Sequence, residues 1–348
     1  MKYLRINVNK RNLFTNVLLL LFSTIISILA LEQSYRFYLF GNASFSIYKM
    51  NSINGLGELG LLRQSDYPEI VYELVPNTNT LHKLVILETN SAGLRDKEYS
   101  IAKTDDDFRV AVIGDSFVMA DGIAIEETFH SLLEEKLNNE RRDFTYQFIN
   151  FGVSAYSLRQ YLEVMKHKAL EYDPDLILVG FCPRNDQYIP EEQEYREVPK
   201  TYPFFHFYSI QALIDISKRG TYYDDDIYYM QKELTRNEPF SGKQNRFMTQ
   251  VFSEMNDFSK QNNIPIIVIY IDIFYNEKFA DRLEEIVLKN DLYFVNASLP
   301  FRGKDIDDYI IYPIDSHPNG EAHQLFADVL YDYLFLDKNN HFLSREIE

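Results

Sequence analysis

Ser116, Asp315 and His317 are the residues whose types and spacing could support covalent chemistry. A serine hydroxyl is a weak nucleophile until a base takes its proton, and a histidine base works best when a carboxylate holds its ring in the correct tautomer. Asp315 and His317 stand two positions apart, so the carboxylate and the imidazole come as one local unit. We therefore predict Ser116 as a nucleophile, His317 as its base and Asp315 as the supporting acid.

Attack by a hydroxyl on a carbonyl also needs hydrogen-bond donors, because negative charge develops on the attacked oxygen. A single preorganised donor at this point contributes about 3–4 kcal/mol. Three donors are candidates for this oxyanion hole. They are the N–H of Ser116, the N–H of Gly152, where the missing side chain lets a substrate come close, and the side-chain amide of Asn185, which donates without changing charge.

The elements that must position these residues follow from the hydrophobic pattern. Short apolar runs alternate with helical periodicity, which indicates a parallel sheet covered by helices on both faces. The predicted strands are Arg109–Ile113, Phe148–Phe151, Leu176–Phe181, Pro265–Ile271 and Leu292–Val295. Helices are predicted after Ser116 and over about Ser157–Glu171, Phe279–Asn290 and Gly320–Leu336. The sequence thus predicts an α/β fold, a doubly wound parallel sheet, with Ser116 where a strand turns into a helix and Asp315 and His317 in a loop before the last helix.

Four blocks of this sequence resemble those of the SGNH/GDSL hydrolase family. In chain order they are Gly114-Asp115-Ser116-Phe117, Asn150-Phe151-Gly152, Asn185-Asp186 and Asp315-Ser316-His317-Pro318-Asn319. The resemblance covers about residues 107–337 and implies a flavodoxin-like sandwich. It implies Ser116 as the nucleophile, Asp315 and His317 as the rest of a triad, and Gly152 and Asn185 as oxyanion donors.

Two details refine the resemblance. Many members carry Asp-x-x-His in the last block, whereas here position 314 is Ile and the acid lies two residues before His317. The shorter spacing resembles members that modify exopolysaccharides, including alginate O-acetylation enzymes. Upstream, the run Asn90–Arg95 is similar to a motif of membrane-anchored bacterial members, either as a structural turn or as a substrate contact.

The amino terminus predicts a membrane anchor. Four basic residues within the first 11 positions precede an apolar run from Leu13 to Leu31, about the ~20 residues that a helix needs to cross a bilayer. Basic flanks stay on the cytoplasmic side. We predict a cytoplasmic tail over 1–11, a transmembrane signal anchor over 12–31 and an extracytoplasmic lead-in segment over 32–106, which places the catalytic domain outside the cell membrane. A cleaved signal peptide is the alternative, and a buried helix of a soluble domain is a third.

Composition limits the partners. The 348 residues are 46% hydrophobic, enough for a sizeable core, and the formal charge of -17 disfavours nucleic acid. Cys182 is the one cysteine, so neither an intrachain disulfide nor a multi-cysteine zinc site can form. The stretch 187–245, rich in Tyr, Phe and acidic residues, interrupts the strand–helix alternation. It is either a lid or substrate wall, or a packed excursion without substrate contact.

Other polar residues near these blocks have ordinary structural interpretations. His323 should lie on the final helix, and Cys182 should be a buried thiol at a strand end. Asp115 and Asp186 should brace loops through bonds to backbone N–H groups. Ser154 is a rival nucleophile by location only.

These features favour a serine esterase that forms an acyl-enzyme on a small-molecule or glycan ester, with an O-acetyl group of cell-surface glycan as the expected substrate. Transfer of the acyl group to a sugar hydroxyl would instead make the chain an exopolysaccharide O-acetyltransferase. Hydrolysis of a lipid ester or a thioester stays open, as does a non-catalytic glycan-binding assembly subunit. Neither hydrolysis nor transfer needs a metal or nucleotide, so we expect no cofactor.

Overall fold

The computed structural model describes residues 10–141, 143–186, 207–210, 212–213, 240–312 and 315–336. Most of the predicted insertion at 187–245 lies outside these residues, so its role stays a prediction. Within the described ranges the chain divides into two compact units. The first unit contains the residues up to Asn51 and those between 207 and 213, and the second contains the remaining residues from Ser52 onward.

The strands and helices have the following bounds. The strands are β1 (Leu62–Gln64), β2 (Tyr72–Leu74), β3 (Asn79–His82), β4 (Val85–Glu88), β5 (Asp107–Gly114), β6 (Thr145–Asn150), β7 (Leu176–Phe181), β8 (Ile266–Tyr270), β9 (Tyr293–Asn296), β10 (Ile310–Tyr312) and β11 (Asp315–Pro318). The α-helices are α1 (Lys10–Phe40), α2 (Ile47–Asn51), α3 (Ser116–Met119), α4 (Phe129–Glu140), α5 (Leu158–His167), α6 (Pro183–Asp186), α7 (Gly242–Asn262), α8 (Glu277–Lys289) and α9 (Gly320–Tyr331). A π-helical turn, Asp332–Leu336, continues α9.

A five-stranded parallel sheet forms the centre of the second unit, which confirms the predicted fold class. Its strand order is β6-β5-β7-β8-β9, and each adjacent pair is parallel. The direction of winding reverses beside β5, whose two neighbours are β6 and β7. Open α/β sheets bind ligands outside the carboxyl ends of the strands at such a switch point. Ser116 lies two residues beyond the carboxyl end of β5.

The sheet is buried on both faces, as its nearly continuous apolar strands require. Ala111 and Ile113 of β5 pack into one hydrophobic cluster, and Val110 and Val112 pack into another on the opposite face. The first cluster includes apolar residues of α5, α7 and α8, and the second those of α4 and α9. Alternate strand residues therefore point into two separate cores, and the helices hold the sheet from both sides.

Side-chain caps fix where the long helices of this unit begin. Each capping residue accepts a hydrogen bond from a backbone N–H of the first turn, which would otherwise lack a partner. The caps of α4, α7, α8 and α9 are Thr128, Ser241, Asn276 and Asn319. Asn319 ends the last predicted block, so the cap of α9 also fixes the chain that carries His317 two positions earlier.

Residues 52–106 form a layer that packs against the sheet and its helices. Tyr72, Leu74 and Leu87 are buried in the same hydrophobic cluster as α5. The hydroxyl of Tyr72 donates to the Ser154 carbonyl at 2.8 Å. Two antiparallel ribbons, β1–β2 and β3–β4, give this layer its shape. It thereby approaches the loop that follows β6, close to the carboxyl edge of the sheet.

The first unit is built around the long helix α1. An apolar stretch within residues Leu13–Phe45 has a mean hydropathy of 2.3, and none of its residues is buried inside the protein. Near the end of the apolar run, the buried carboxylate of Glu32 accepts bonds from the N–H of Tyr208 at 3.1 Å and of Ser209 at 2.9 Å. The helix is thus long and apolar enough to cross a membrane, and its polar end binds a neighbouring segment.

Candidate active site

Ser116 is the first residue of α3, the one-turn helix that follows β5. The side chain of Asp115 accepts a hydrogen bond from the Phe117 N–H at 2.8 Å and so caps this turn, as predicted for that residue. Ser116 itself is only 5% exposed. The turn ends at Ala120, whose φ of 60° lies in the left-handed region. The nucleophile candidate is therefore held in a short, sharply closed turn at the switch point of the sheet.

Three glycines at the carboxyl ends of adjacent strands let this turn lie close to the sheet. A Cβ on Gly114 would come within 2.2 Å of the Val118 side chain, and one on Gly180 within 2.4 Å. A Cβ on Gly152 would lie 2.4 Å from the backbone N of Met119. Real Cβ atoms do not approach other atoms so closely, so any larger residue would displace the turn that carries Ser116.

Asp315 and His317 lie on a short strand, not in the loop that the sequence predicted. β11 pairs antiparallel with β10, and this ribbon fixes both side chains on one strand face because they are two residues apart. The Asp315 Oδ1 is 2.5 Å from His317 Nδ1 and also accepts the His317 backbone N–H at 3.1 Å. A carboxylate in this position holds the ring with Nδ1 protonated, which leaves Nε2 as the basic nitrogen.

The nucleophile turn and the ribbon lie next to each other. The Phe117 and His317 ring centroids are 5.8 Å apart, so the residue beside Ser116 contacts the base candidate. Within the described chain, Ser116 Oγ donates no hydrogen bond to His317. Such catalytic bonds are commonly long before substrate binds. The structure therefore brings the three predicted residues to one region, with the serine and histidine not yet bonded.

Sequence reasoning missed a buried group of charges beside the Asp315–His317 pair. Lys83 Nζ lies 2.7 Å from Asp315 Oδ2 and 3.1 Å from Asp121 Oδ2, and the other oxygen of Asp121 lies 2.6 Å from His82 Nε2. Lys83 and His82 belong to the β3–β4 hairpin, which precedes the region of family resemblance. No local pattern in that hairpin signals a link to a residue more than 200 positions away.

The charges in this group determine the ionisation of its carboxyl groups. Burial alone would raise the pKa of Asp315, but the charges of His317 and Lys83 outweigh burial and lower that pKa. The same competition lowers the pKa of Asp121 well below its usual range, with Lys83 and His82 as the opposing charges. Burial would lower the pKa of Lys83, but the two carboxylates raise it. Lys83 is therefore an ammonium between two carboxylates.

In the loop after β6, the N–H of Gly152, which the sequence predicts as an oxyanion donor, has a partner at the end of that strand. Gly152 donates this N–H to the Asn150 side-chain oxygen at 2.8 Å, and its missing side chain makes room for the Ser116 turn rather than for a substrate. Three residues further on, Ala155 has a φ of 63°, and its N–H has no hydrogen-bond partner in the described part of the chain. Asn185 lies on the helical turn α6, after β7, and its side chain is outside what the structure describes.

Other predicted residues have structural roles. Asp186 Oδ2 accepts the Cys182 N–H at 2.6 Å, which confirms that it braces its turn, and the Cys182 thiol is buried. His323 is fully buried on α9, where its Nδ1 accepts the Phe129 N–H at 3.2 Å. Ser154, the rival nucleophile, donates to Asp121 at 3.2 Å and has no histidine partner among the described residues.

The Asn90–Arg95 run is a structural turn. The side-chain oxygen of Asn90 accepts the N–H groups of Ala92 and Leu94, and Gly93 has a φ of 81°. A Cβ on Gly93 would lie 2.8 Å from the Leu74 carbonyl, so only glycine fits. The buried Arg95 then donates to the carbonyls of Met119, Ala120 and Ile123. The run therefore supports the chain that follows Ser116.

A cleft of about 800 Å³ lies between the β3–β4 hairpin and α4. It is lined by residues that include Ile86, Arg95, Tyr99 and Glu134, and it contains neither Ser116 nor His317. We therefore do not assign it to the chemistry. In the same described residues, no cluster of three or more His, Cys, Asp or Glu side chains is arranged to hold a metal ion.

Comparisons with known proteins give fold similarity at low sequence identity. No family model matches the chain, and no curated protein matches its sequence. Among solved structures, it is similar to the esterase EstA from Pseudoalteromonas (TM-score 0.41, 19% identity, covering 67% of this chain and 99% of that one). It is also similar to TesA (0.39, 14%, covering 66% and 98%) and to Axe2, an acetylxylan esterase from Geobacillus stearothermophilus (0.40, 12%, covering 64% and 92%).

Proposed function

We propose that this chain is an ester hydrolase that works through an acyl-enzyme on Ser116. The observation that carries the proposal is the Asp315–His317 pair, 2.5 Å apart, on a ribbon beside the turn that carries Ser116. An imidazole held by a carboxylate next to a serine at a strand–helix turn is the arrangement that general-base activation of a hydroxyl requires. The residues beneath the turn are glycines, which keeps the serine at the sheet edge.

The proposed reaction has two stages. His317 takes the proton from Ser116 as its oxygen attacks the ester carbonyl, and the same proton then goes to the leaving alcohol as the acyl-enzyme forms. Water repeats the sequence and releases the acid. Asp315 keeps the His317 ring in its tautomer throughout. No metal or nucleotide takes part in either stage.

The oxyanion would be held by backbone and side-chain donors at the sheet edge. We assign this role to the N–H groups of Ser116 and Ala155 and to the amide of Asn185. Ala155 replaces Gly152 because the Gly152 N–H is bonded to Asn150, whereas that of Ala155 has no partner in the described residues. The left-handed backbone at Ala155 supports this choice, since strained conformations gather at functional sites.

The proposed substrate is an O-acetyl group of a cell-surface glycan, and α1 would anchor the enzyme beside it. The apolar span, its exposure and the basic residues before it support insertion with the catalytic domain outside. We expect the full chain to stay in the membrane fraction during alkaline carbonate extraction. We also expect protease to cut the catalytic domain only when it is added on the extracytoplasmic side. Amino-terminal sequencing that starts beyond Leu31 would instead establish a cleaved leader.

The activity is tested with the full chain in detergent, using p-nitrophenyl acetate and p-nitrophenyl octanoate as substrates. We expect turnover of the acetate ester, and a loss of at least about 10³-fold in Ser116→Ala. Ser154→Ala, the matched hydroxyl on the neighbouring loop, should stay within about tenfold of the parent. Equal turnover by Ser116→Ala would refute the nucleophile.

With acetylated glycan as substrate, free acetate supports the hydrolase. Acetate that appears on an added acceptor sugar would assign the site to O-acetyl transfer instead.

A further inference from the structure

The turn of the β3–β4 hairpin has an unfavourable backbone for its residues. Lys83 and Leu84 connect the two strands with φ values of 47° and 66°. Two-residue hairpin turns with positive φ at both positions prefer Asn and Gly. Gly has no Cβ, and the short polar side chain of Asn can bond to the nearby backbone, whereas other side chains are strained there. The turn is held in place by the Lys83 N–H, which donates to the Ser52 carbonyl at 2.6 Å. The fold therefore keeps a lysine at a costly position.

The Lys83 side chain extends from this turn into the candidate active site. Its side chain is about 10% exposed, and Nζ lies 2.7 Å from Asp315 and 3.1 Å from Asp121. The same Nζ lies 3.3 Å from His317 Nδ1. Gly122 lies against this side chain: a Cβ at Gly122 would be 2.5 Å from Ile311 Cδ1 and 3.2 Å from Lys83 Cδ. The ammonium therefore contacts both members of the acid–base pair.

Asp121 connects the ammonium to the nucleophile. Its backbone N–H donates to the Ser116 carbonyl at 3.0 Å, so it belongs to the turn that carries the serine. Asp315, on the other side of Lys83, belongs to the ribbon that carries His317. We call the three residues Asp121, Lys83 and Asp315 the Lys83 bridge. The bridge joins the two halves of the proposed triad through one side chain.

We propose that Lys83 is a positioning residue for the reaction of Ser116: its ammonium holds Asp315 and Asp121 together and so keeps the His317 ribbon in register with the serine turn. This proposal rests on the proposed function of the same site. Asp315 uses Oδ1 for His317 and Oδ2 for Lys83, so the lysine fixes the plane of the carboxylate. Without Lys83, two buried carboxylates would face each other, and Asp315 would turn or bind a proton.

The bridge also keeps the charge around His317 balanced. During the proposed reaction His317 becomes positive, and a lone ammonium 3.3 Å away would oppose that step. Asp121 offsets the charge of Lys83, which leaves Asp315 to stabilise the imidazolium.

Steady-state kinetics of the full chain in detergent test the proposal. We expect Lys83→Met to lower kcat for p-nitrophenyl acetate by about 100-fold with KM within about twofold, because the misplacement affects the reacting groups rather than substrate binding. Lys103→Met is the matched control. Lys103 has a similarly buried side chain, and its Nζ lies 2.7 Å from Asp175 Oδ2. Asp175 directly precedes β7, so this ion pair lies at the amino-terminal end of the sheet, opposite to the end that carries Ser116. The kcat of Lys103→Met should stay within about twofold of the parent value. An equal loss of kcat in Lys83→Met and Lys103→Met would overturn the proposal.

Chemical rescue keeps the test valid if Lys83→Met folds poorly. Lys83→Ala leaves a cavity of the length of propylammonium, so that ion should restore kcat at least about fivefold while the parent chain gains nothing. Neutral propanol serves as the control for filling the cavity. Equal restoration by propanol, or none by propylammonium in a folded variant, would contradict a role for the ammonium.

A spectroscopic readout separates this proposal from the proposed function. In the parent with ¹⁵N-labelled histidine, the Nδ1–H of His317 in its short bond to Asp315 should give a strongly downfield proton resonance, assigned by its loss in His317→Gln. We expect Lys83→Met to lose or shift this resonance and Lys103→Met to keep it. An unchanged resonance in Lys83→Met would overturn the positioning role, even if the chain were shown to hydrolyse no ester.

Discussion

The sheet edge and the hairpin turn differ in where they use glycine, although both lie beside the same site. At the sheet edge, formed by the carboxyl ends of β5, β6 and β7, glycines occupy positions where any side chain would collide with the Ser116 turn. At the hairpin turn, Lys83 and Leu84 occupy positions with positive φ that glycine would adopt more easily. At the sheet edge, glycines allow the Ser116 turn to lie close to the strands. In the hairpin turn, a strained backbone places the ammonium of Lys83 in the site. The strain in the hairpin turn is therefore explained by the charge that Lys83 brings to Asp315.

Removing the carboxylate that joins the two regions should have the largest effect. Asp315→Asn keeps the size of the side chain but no longer holds His317 Nδ1 and Lys83 with a negative charge. We expect kcat for p-nitrophenyl acetate to fall by about 10³–10⁴-fold, since the ring loses its correct tautomer. The exposed Asp328→Asn on α9 is the control. A loss below about tenfold would separate Asp315 from the chemistry.

Adding a methyl group at the sheet edge should be the next largest effect. The Cβ of Gly152→Ala would meet the backbone of Met119, which cannot rotate away, so the Ser116 turn must shift. We expect the free energy of unfolding in detergent to fall by about 2–3 kcal/mol, with kcat reduced at least about 100-fold. Gly55→Ala, where a Cβ would meet nothing within 4 Å, should change stability by less than about 0.5 kcal/mol. Equal effects of the two changes would refute the close approach.

A buried carboxyl at the sheet edge should make stability depend on pH. Burial, reinforced by the charge of Asp115, raises the pKa of Asp186 well above its usual value. Because the folded state then holds a proton that the unfolded state releases, this stabilisation is complete below about pH 4. It is lost as pH rises towards the folded-state pKa, by up to about 1.4 kcal/mol per pH unit.

Asp186→Asn cannot titrate and still offers an oxygen to the Cys182 N–H. Its free energy of unfolding should therefore change less between pH 5 and 8 than that of the parent, as measured by chemical denaturation. Parallel curves for the two proteins would contradict a protonated Asp186.

A glycine in the hairpin turn should give the smallest effect, with the opposite sign to that at the sheet edge. Leu84→Gly relieves the positive φ while leaving Lys83 in place, so we expect the free energy of unfolding to rise by about 0.5 kcal/mol with kcat unchanged. Thermal unfolding and p-nitrophenyl acetate kinetics measure both quantities. A loss of more than about 1 kcal/mol would show that Leu84 is kept for packing, which would remove the contrast between the two regions.

The parts of the fold that follow from local pattern could be predicted. The predicted bounds of the strand Leu176–Phe181 match those of the structure, and the bounds of the other sheet strands agree to within three residues, because buried parallel strands are continuous apolar runs. The Ser116 turn and the Asp315–His317 pair were likewise visible as short motifs. Their spacing along the chain is enough to identify them as candidates.

What depends on distant contacts could not be predicted. Lys83 reaches Asp315 across more than 200 residues, and no periodicity near Thr80–Leu84 distinguishes this lysine from a surface one. The ribbon that carries His317 exists because β10 pairs with β11, which a four-residue polar strand does not reveal by itself. Gly152 was predicted to admit substrate, whereas the atoms that approach it belong to the Ser116 turn. In each case the missing information was which segment packs against which.

Covalent labelling tests most directly whether Ser116 is activated by His317. An alkyl fluorophosphonate should modify the full chain once, and mass spectrometry of the peptides should place the adduct on Ser116. His317→Gln should slow this labelling by about 10³-fold while the protein stays folded. An adduct on Ser154, or labelling of Ser116 at the same rate in His317→Gln, would contradict the proposed acyl-enzyme mechanism.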